Sequence, residues 1–281
     1  MPVNDELGRR MKDFYETIPK TKLMRRTPVA IRIDGKAFHT FTRGMKRPFD
    51  DILIETMQQT MKYLCENIQG CVLGYTQSDE ITLILIDYQK LTSCAWFDYE
   101  VQKMCSIAAS MATLAFNKHF RRNYYWWCKD NDVSAMPTTG ENENDPLIQM
   151  RNVYDNAWIS GAMFDARCFN IPKEEVTNLI YWRQLDATRN SIQMVGQANF
   201  SHKELHGKSC SKIQDMLMLE KNINWNDFPA YQKRGSCAIK QVMDISNGEG
   251  DYRTEWIIDK DIPIFKGEDR KYIEDLIYVG D

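Results

Sequence analysis

Three carboxylates stand where apolar runs stop: Asp34, in Ile31-Arg32-Ile33-Asp34-Gly35-Lys36, and Asp79 and Glu80, in Tyr75-Thr76-Gln77-Ser78-Asp79-Glu80. Residues 29–33 form a compact run of strand-forming side chains, and Asp34-Gly35 follows directly, so a carboxylate and an exposed carbonyl project from a strand end. Residues 71–75 and 81–86 read as two strands joined through Gln77-Ser78-Asp79-Glu80. Acids at the mouth of a core are costly unless their charge is compensated. Two carboxylates and a backbone carbonyl beside Lys and Arg suit Mg²⁺, a hard cation that keeps waters and shares substrate phosphates. A pair of such ions about 4 Å apart serves nucleotidyl transfer. Taken singly, Asp34-Gly35 reads as a turn and Ser78-Asp79-Glu80 as a polar hairpin tip, so the case for chemistry depends on their meeting.

The surrounding elements predict that meeting. A short helix over 5–18 is closed by Ile18-Pro19. After the first strand, Asp50 or Asp51 caps a helix with Leu53, Met57, Met61, Leu64 and Ile68 on one face, ending near Gly70. The hairpin 71–86 follows, then a helix over 95–120 and a polar loop or insertion over 129–146. Alternation over 158–169 predicts a further strand. The order strand, helix, strand, strand, helix, strand specifies an α+β fold of the ferredoxin-like βαββαβ kind. Right-handed crossovers then put the end of strand 1 beside the start of strand 3. Asp34 is thereby expected to meet Asp79 and Glu80, although the two aspartates lie 45 positions apart. A long helix over 173–198 and a strand and turn through Trp256 and Ile262-Pro-Ile-Phe265 form a C-terminal extension.

At 281 residues and 33.0 kDa the chain is read as one catalytic unit, with a core over about 25–170 and the extension over 171–281. Hydrophobic residues at 43% and charged residues at 27% are those of a soluble protein, and no apolar run approaches the roughly 20 residues of a membrane span. Met-Pro-Val-Asn-Asp-Glu lacks the charged and apolar regions of a signal peptide, which gives the expectation of a cytoplasmic protein. Eight cysteines without a C-x-x-C pair are expected to be mostly buried free thiols. Net charge is −3, yet residues 20–47 hold nine Lys/Arg against the single acid Asp34. That run surrounds the first acidic stretch, where Lys36, Arg43, Lys46 and Arg47 are placed to hold phosphates.

Arg32-Ile-Asp-Gly-Lys-Ala-Phe-His39, Arg47-Pro48-x-Asp50 and Tyr75-x-Gln-Ser-Asp-Glu80 together resemble the tRNA(His) guanylyltransferase family, the 3′–5′ polymerases. Phe164-Asp-Ala-Arg167, Trp182-Arg-Gln184 with Asp186, and Tyr231-x-Lys-Arg-Gly235 extend the likeness in family order over roughly 5–240. The resemblance implies a polymerase-type palm in which Asp34, the Gly35 carbonyl and Asp79 bind two Mg²⁺, with Glu80 supporting them as a third catalytic acid. It also implies that Asp34, Gly35, Lys36, Ala37, Phe38 and His39, with Ser78, Asp79, Arg47 and Lys103, hold the nucleoside triphosphate. On the tRNA side stand Arg32, Arg183, Arg189, Asn190, Lys203 and Lys208. GTP and other NTPs would be substrates, ATP would activate the tRNA 5′ end, and the assembly would be a homotetramer.

Members that add the extra guanosine to histidine tRNA carry His-Ile-Asn-Asn-Leu-Tyr-Asn, where this chain has Thr188-Arg-Asn-Ser-Ile-Gln-Met194 and keeps only Asn190 of the distinctive polar residues. The departure points to the tRNA(His) guanylyltransferase-like proteins, which resemble template-dependent enzymes repairing 5′-truncated tRNA. Alternatives are the G-adding activity itself, a palm-fold nucleotide cyclase, for which the Gly-Gly-Asp-Glu-Phe turn is missing, and a non-catalytic RNA-binding module, which should show aromatics on its central strands.

Overall fold

A computed structural model of the chain describes residues 5–133, 145–244 and 252–279. Its strands are β1 (Val29–Gly35), β2 (Cys71–Gln77), β3 (Glu80–Leu85), β4 (Phe164–Asn170), β5 (Ser236–Asp244) and β6 (Tyr252–Asp259). Its helices are α1 (Glu6–Met11), α2 (Phe38–Phe41), α3 (Asp51–Asn67), α4 (Val101–Asp130), α5 (Pro146–Ser160), α6 (Lys173–Asn199), α7 (His202–Leu205), α8 (Cys210–Lys221), α9 (Ala230–Arg234) and α10 (Lys271–Ile277). The strands form one antiparallel sheet in the order β4-β1-β3-β2-β5-β6. Its first four are the ferredoxin-like set expected from the sequence, and β5 and β6 continue it.

Alternation along β1 sorts the core into two layers. Val29, Ile31 and Ile33, with Ile81, Leu83 and Leu85 of β3, pack on Met57, Met61 and Leu64 of α3 and on Met104, Ala108 and Phe116 of α4. Ala30 and Ile84 face the other way, onto Val176 and Ile180 of α6 and Ile273 and Ile277 of α10. On that second face the apolar pattern gives out after Ala30, and Arg32 and Asp34 take the next two positions. Along β1 and β3 the sheet thus buries one face and turns polar at one end of the other. A smaller cluster around Val195, Phe200, Ile213 and Leu217 ties α6 to α8.

Several expected boundaries move. The strand read from residue 158 begins only at Phe164, because Pro146 in the first turn and the Asp145 cap, whose carboxylate accepts from Leu147 N at 2.7 Å, start a helix that runs to Ser160. Gly161, at φ +65°, ends it. The helix read as 95–120 is Val101–Asp130, because Phe120 and Tyr124 continue its buried stripe against Tyr154 at ring distances of 6.3 and 5.8 Å. Of the polar segment over 129–146, residues 134–144 lie outside the described residues. The N-terminal helix is α1 followed by a π-helical turn, and neither buries a residue. Among the cysteines, Cys65, Cys71, Cys128 and Cys237 are buried, Cys94 is exposed, and all eight are free.

Asp50 makes the start of α3 a fixed point. Its carboxylate accepts from Leu53 N at 3.0 Å as N-cap, from Lys46 N at 3.1 Å and from the Tyr154 hydroxyl at 2.7 Å. Asp50→Ala removes the cap and strands a buried hydroxyl, and is expected to cost about 2–4 kcal/mol in urea-denaturation measurements.

Candidate active site

The hairpin register brings the acids together as the sequence implied. Asp34 of β1 lies directly opposite Glu80 of β3 on one side and opposite Asp165 of β4 on the other. Residues opposed in antiparallel strands project from the same face. Gln77 and Glu80 pair across a two-residue turn, with Ser78 in the left-handed region at φ +50°. Asp79 is locked against β1 by its carbonyl, which accepts from Gly35 N at 3.1 Å. Burial pushes the Asp79 carboxyl up from its ordinary range; the Asp34 and Glu80 charges act the same way, against hydrogen bonds from Ser78 and its own backbone N–H.

These acids fit a divalent cation. Neither Asp34 nor Asp79 forms an ion pair among the described residues, and no group of three or more His, Cys, Asp or Glu side chains there could hold a metal by itself. Two carboxylates and a carbonyl leave most coordination positions to waters and phosphate oxygens, the manner in which Mg²⁺ is shared with a nucleotide.

The loop after β1 is anchored by aromatic rings. Phe38 packs against Phe41, Phe116 and Phe164 at ring distances of 5.1, 5.4 and 5.4 Å. A Cβ on Gly35 would sit 2.2 Å from the Phe38 ring, which explains the glycine beside Asp34. Ala37 lies in the left-handed region at φ +52°, and Lys36 N donates to Met163 O at 2.8 Å. Lys36, Ala37, Thr40 and Arg43 then line a cleft of about 370 Å³ against α5 and Gly161–Met163. His39 is exposed on α2, whereas the Phe38 ring is buried among its aromatic neighbours. That ring is consumed by the core.

Glu80, opposite Asp34, is gripped by arginines. Arg183 of α6 pairs with it and also with Asp186 at 3.0 Å, and Arg32 approaches it at 3.3 Å. Both guanidiniums lie over Trp182, at 4.7 and 5.5 Å. Arg183, expected on the tRNA side, has a side chain only 5% exposed. Its role is to hold Glu80 and thereby the hairpin. The neighbouring Gln184 donates to Pro263 O at 2.7 Å and accepts from Phe265 N at 3.1 Å, clamping the C-terminal segment. Tyr75 donates to Arg234 O at 2.7 Å, and a Cβ on Gly235 would come within 2.5 Å of Thr76 O. These fastenings were unread in the sequence, although their motifs were visible there.

Two further placements differ. α4 meets Cys168 through Cys105 and Phe164 through Thr113, so Lys103 lies about ten residues, roughly 15 Å, back along the helix from the level of Asp34. Its ammonium sits 5.0 Å from the Phe97 ring. Arg47 lines a separate cleft with His202, His206 and Lys208. Asn190 does come to the hairpin: with Ser191, Met194 and Tyr231 it lines a crevice of about 90 Å³ that includes Gln77 and Ser78. Arg189 and Lys203 are exposed, the former paired with Asp186.

A family model described as tRNAHis guanylyltransferase matches residues 8–172. A bacterial tRNA(His) guanylyltransferase-like protein, solved in complex with ATP and in complex with GTP, superposes with TM-scores of 0.77 and 0.73 at 42% and 38% identity, over 98% of this chain and 100% of that one. Uncharacterized protein R259 of Acanthamoeba polyphaga mimivirus is 30% identical over 87% of this chain and 80% of its own length. The tRNA(His) guanylyltransferase of Schizosaccharomyces pombe is 24% identical over 82% and 79%. With the paired carboxylates on the hairpin register and the basic loop beside them, the chain belongs to the tRNA(His) guanylyltransferase family, nucleotidyltransferases whose activity is 3′–5′ addition of nucleotides to the 5′ end of tRNA.

Proposed function

We propose that this member repairs the 5′ end of truncated tRNA, choosing each added base by pairing with the opposite strand of the acceptor stem. One observation carries this reading: the run Thr188 to Met194 borders the catalytic hairpin, with Asn190, Ser191 and Met194 in the crevice beside Ser78, and keeps only Asn190 of the distinctive polar residues of the histidine-type run. A site that reads one tRNA there needs those polar groups; a site that defers to base pairing does not. The identity of 42% to a guanylyltransferase-like protein supports the same choice.

In the proposed reaction the tRNA 5′ end is activated, as an adenylate formed from ATP or by its own triphosphate. The 3′-hydroxyl of the incoming NTP attacks that phosphorus, and AMP or pyrophosphate leaves as the new phosphodiester forms. Asp34, Asp79 and the Gly35 carbonyl would hold two Mg²⁺, which when bound lower the hydroxyl's pKa and neutralise the leaving group. Lys36 and Arg43 set positive charge where the triphosphate lies, and Arg183 and Arg32 keep Glu80 from swinging into the site. The chain acts as one catalytic unit in a homotetramer, in the cytoplasm. Among the described residues, no helix is long and apolar enough to cross a membrane. Labelled NTP incubated with Mg²⁺ and a 5′-truncated tRNA should enter the RNA at its 5′ end. A cyclised nucleotide formed without RNA, or no incorporation at all, would replace this reading by the cyclase or the binding module.

A further inference from the structure

Helix α6 connects the hairpin to a second place on the molecule. At Arg183 it grips Glu80; ten and fourteen residues later, about 15 and 21 Å along the axis, Gln193 and Gln197 line a cleft of about 560 Å³. Its other polar walls are Arg47, His202, His206 and Lys208, and no carboxylate lines it. The acid nearest in sequence, Glu204, stands between the two histidines but is tied to Ser201, accepting from its backbone N–H at 2.8 Å and its hydroxyl at 2.6 Å in a capping box. Lys46 pairs with Asp51, while Arg47, His202, His206 and Lys208 form no ion pair among the described residues. Basic side chains and two amides around a concave, acid-free space focus positive potential and supply directional donors to one anion.

We infer that this cleft binds a backbone phosphate of the tRNA substrate, several nucleotides from the 5′ end held at Asp34 and Asp79; the inference rests on the tRNA reading above. A phosphodiester fits better than a free phosphate because the cleft is wide and joined to the catalytic hairpin by a rigid helix, so that one strand can engage both. It would fix the register of the acceptor stem without reading bases, as phosphate contacts do.

The test is equilibrium binding of a fluorescent 5′-truncated tRNA over a range of salt, for the wild type and for His202→Ala/His206→Ala/Lys208→Ala, with ATP and inorganic phosphate binding measured alongside. The variant should bind tRNA about tenfold more weakly, with a salt slope shallower by about one, and bind ATP as the wild type does. Lys208→Glu alone, at an exposed position, should weaken tRNA binding in the same sense with the thermal midpoint unchanged. Wild-type tRNA affinity in both variants overturns the inference and leaves the tRNA reading standing. Loss of ATP or phosphate binding in place of tRNA binding assigns the cleft to a free anion and also overturns it. A wild-type protein that binds no tRNA overturns both.

Discussion

Asp79→Asn is expected to lower nucleotide addition by about a thousandfold or more while raising the melting temperature of the metal-free protein near neutral pH. The first effect follows from losing a charged ligand: several kcal/mol of transition-state stabilisation, at about 1.4 kcal/mol per decade, is three decades or more of rate. The second follows from the direction of the pKa shift. Asp79 is held above its ordinary range by burial first and then by the Asp34 and Glu80 charges. An acid whose folded pKa is raised binds its proton more tightly in the native state, so the fold is most stable below the unfolded value and loses stability as pH rises through the folded one. Asparagine removes that penalty. The gap in melting temperature between variant and wild type should therefore open with rising pH and close in acid. Added Mg²⁺ should raise the wild-type midpoint and leave that of the variant unmoved. Wild-type turnover, or a variant less stable than wild type across the whole range, would remove Asp79 from the role assigned to it.

Arg183→Met is expected to destabilise the fold by about 3 kcal/mol, the lower end of the range for breaking a buried pair, because Glu80 keeps some access to solvent. The substitution leaves Glu80 and Asp186 facing each other without the guanidinium that bridges them, and it removes one of the two cations over Trp182. Arg183→Lys keeps the charge but cannot span both carboxylates in one planar fork, so it should fall between the two. Urea denaturation measures both. A loss under about 1 kcal/mol for Arg183→Met would show that Arg32 alone suffices to hold Glu80.

The palm was legible because its information is local and periodic. Compact strand-forming runs marked β1 and β3, the Asp50 cap marked α3, and handed crossovers set the order β4-β1-β3-β2, which brought Asp34 to the hairpin that carries Asp79 and Glu80. What stayed hidden depends on distant partners. The anchoring of the Phe38 ring was hidden because its partners, Phe116 and Phe164, lie far along the chain. Arg183 looked like an RNA contact because nothing near it in sequence announces Glu80. The level of Lys103 along the sheet was hidden because a helix start gives no hint of which end of a strand it passes. The strand from residue 158 failed for another reason: Ile159, Gly161 and Met163 alternate as a strand does, but Asp145-Pro146 had already committed the chain to a helix.

The most direct test of the account is the identity of the added nucleotide when the template changes. A tRNA lacking its first 5′ nucleotide is prepared with each of the four bases at the opposing position, incubated with the protein, ATP, Mg²⁺ and all four NTPs, and sequenced from the 5′ end. Template-dependent repair places the complementary base in every product, in keeping with a hairpin crevice that retains Asn190 and little else of the histidine-type run. Guanosine added whatever the opposing base would contradict repair and restore the G-adding activity, and extension at the 3′ end would contradict the direction of synthesis itself.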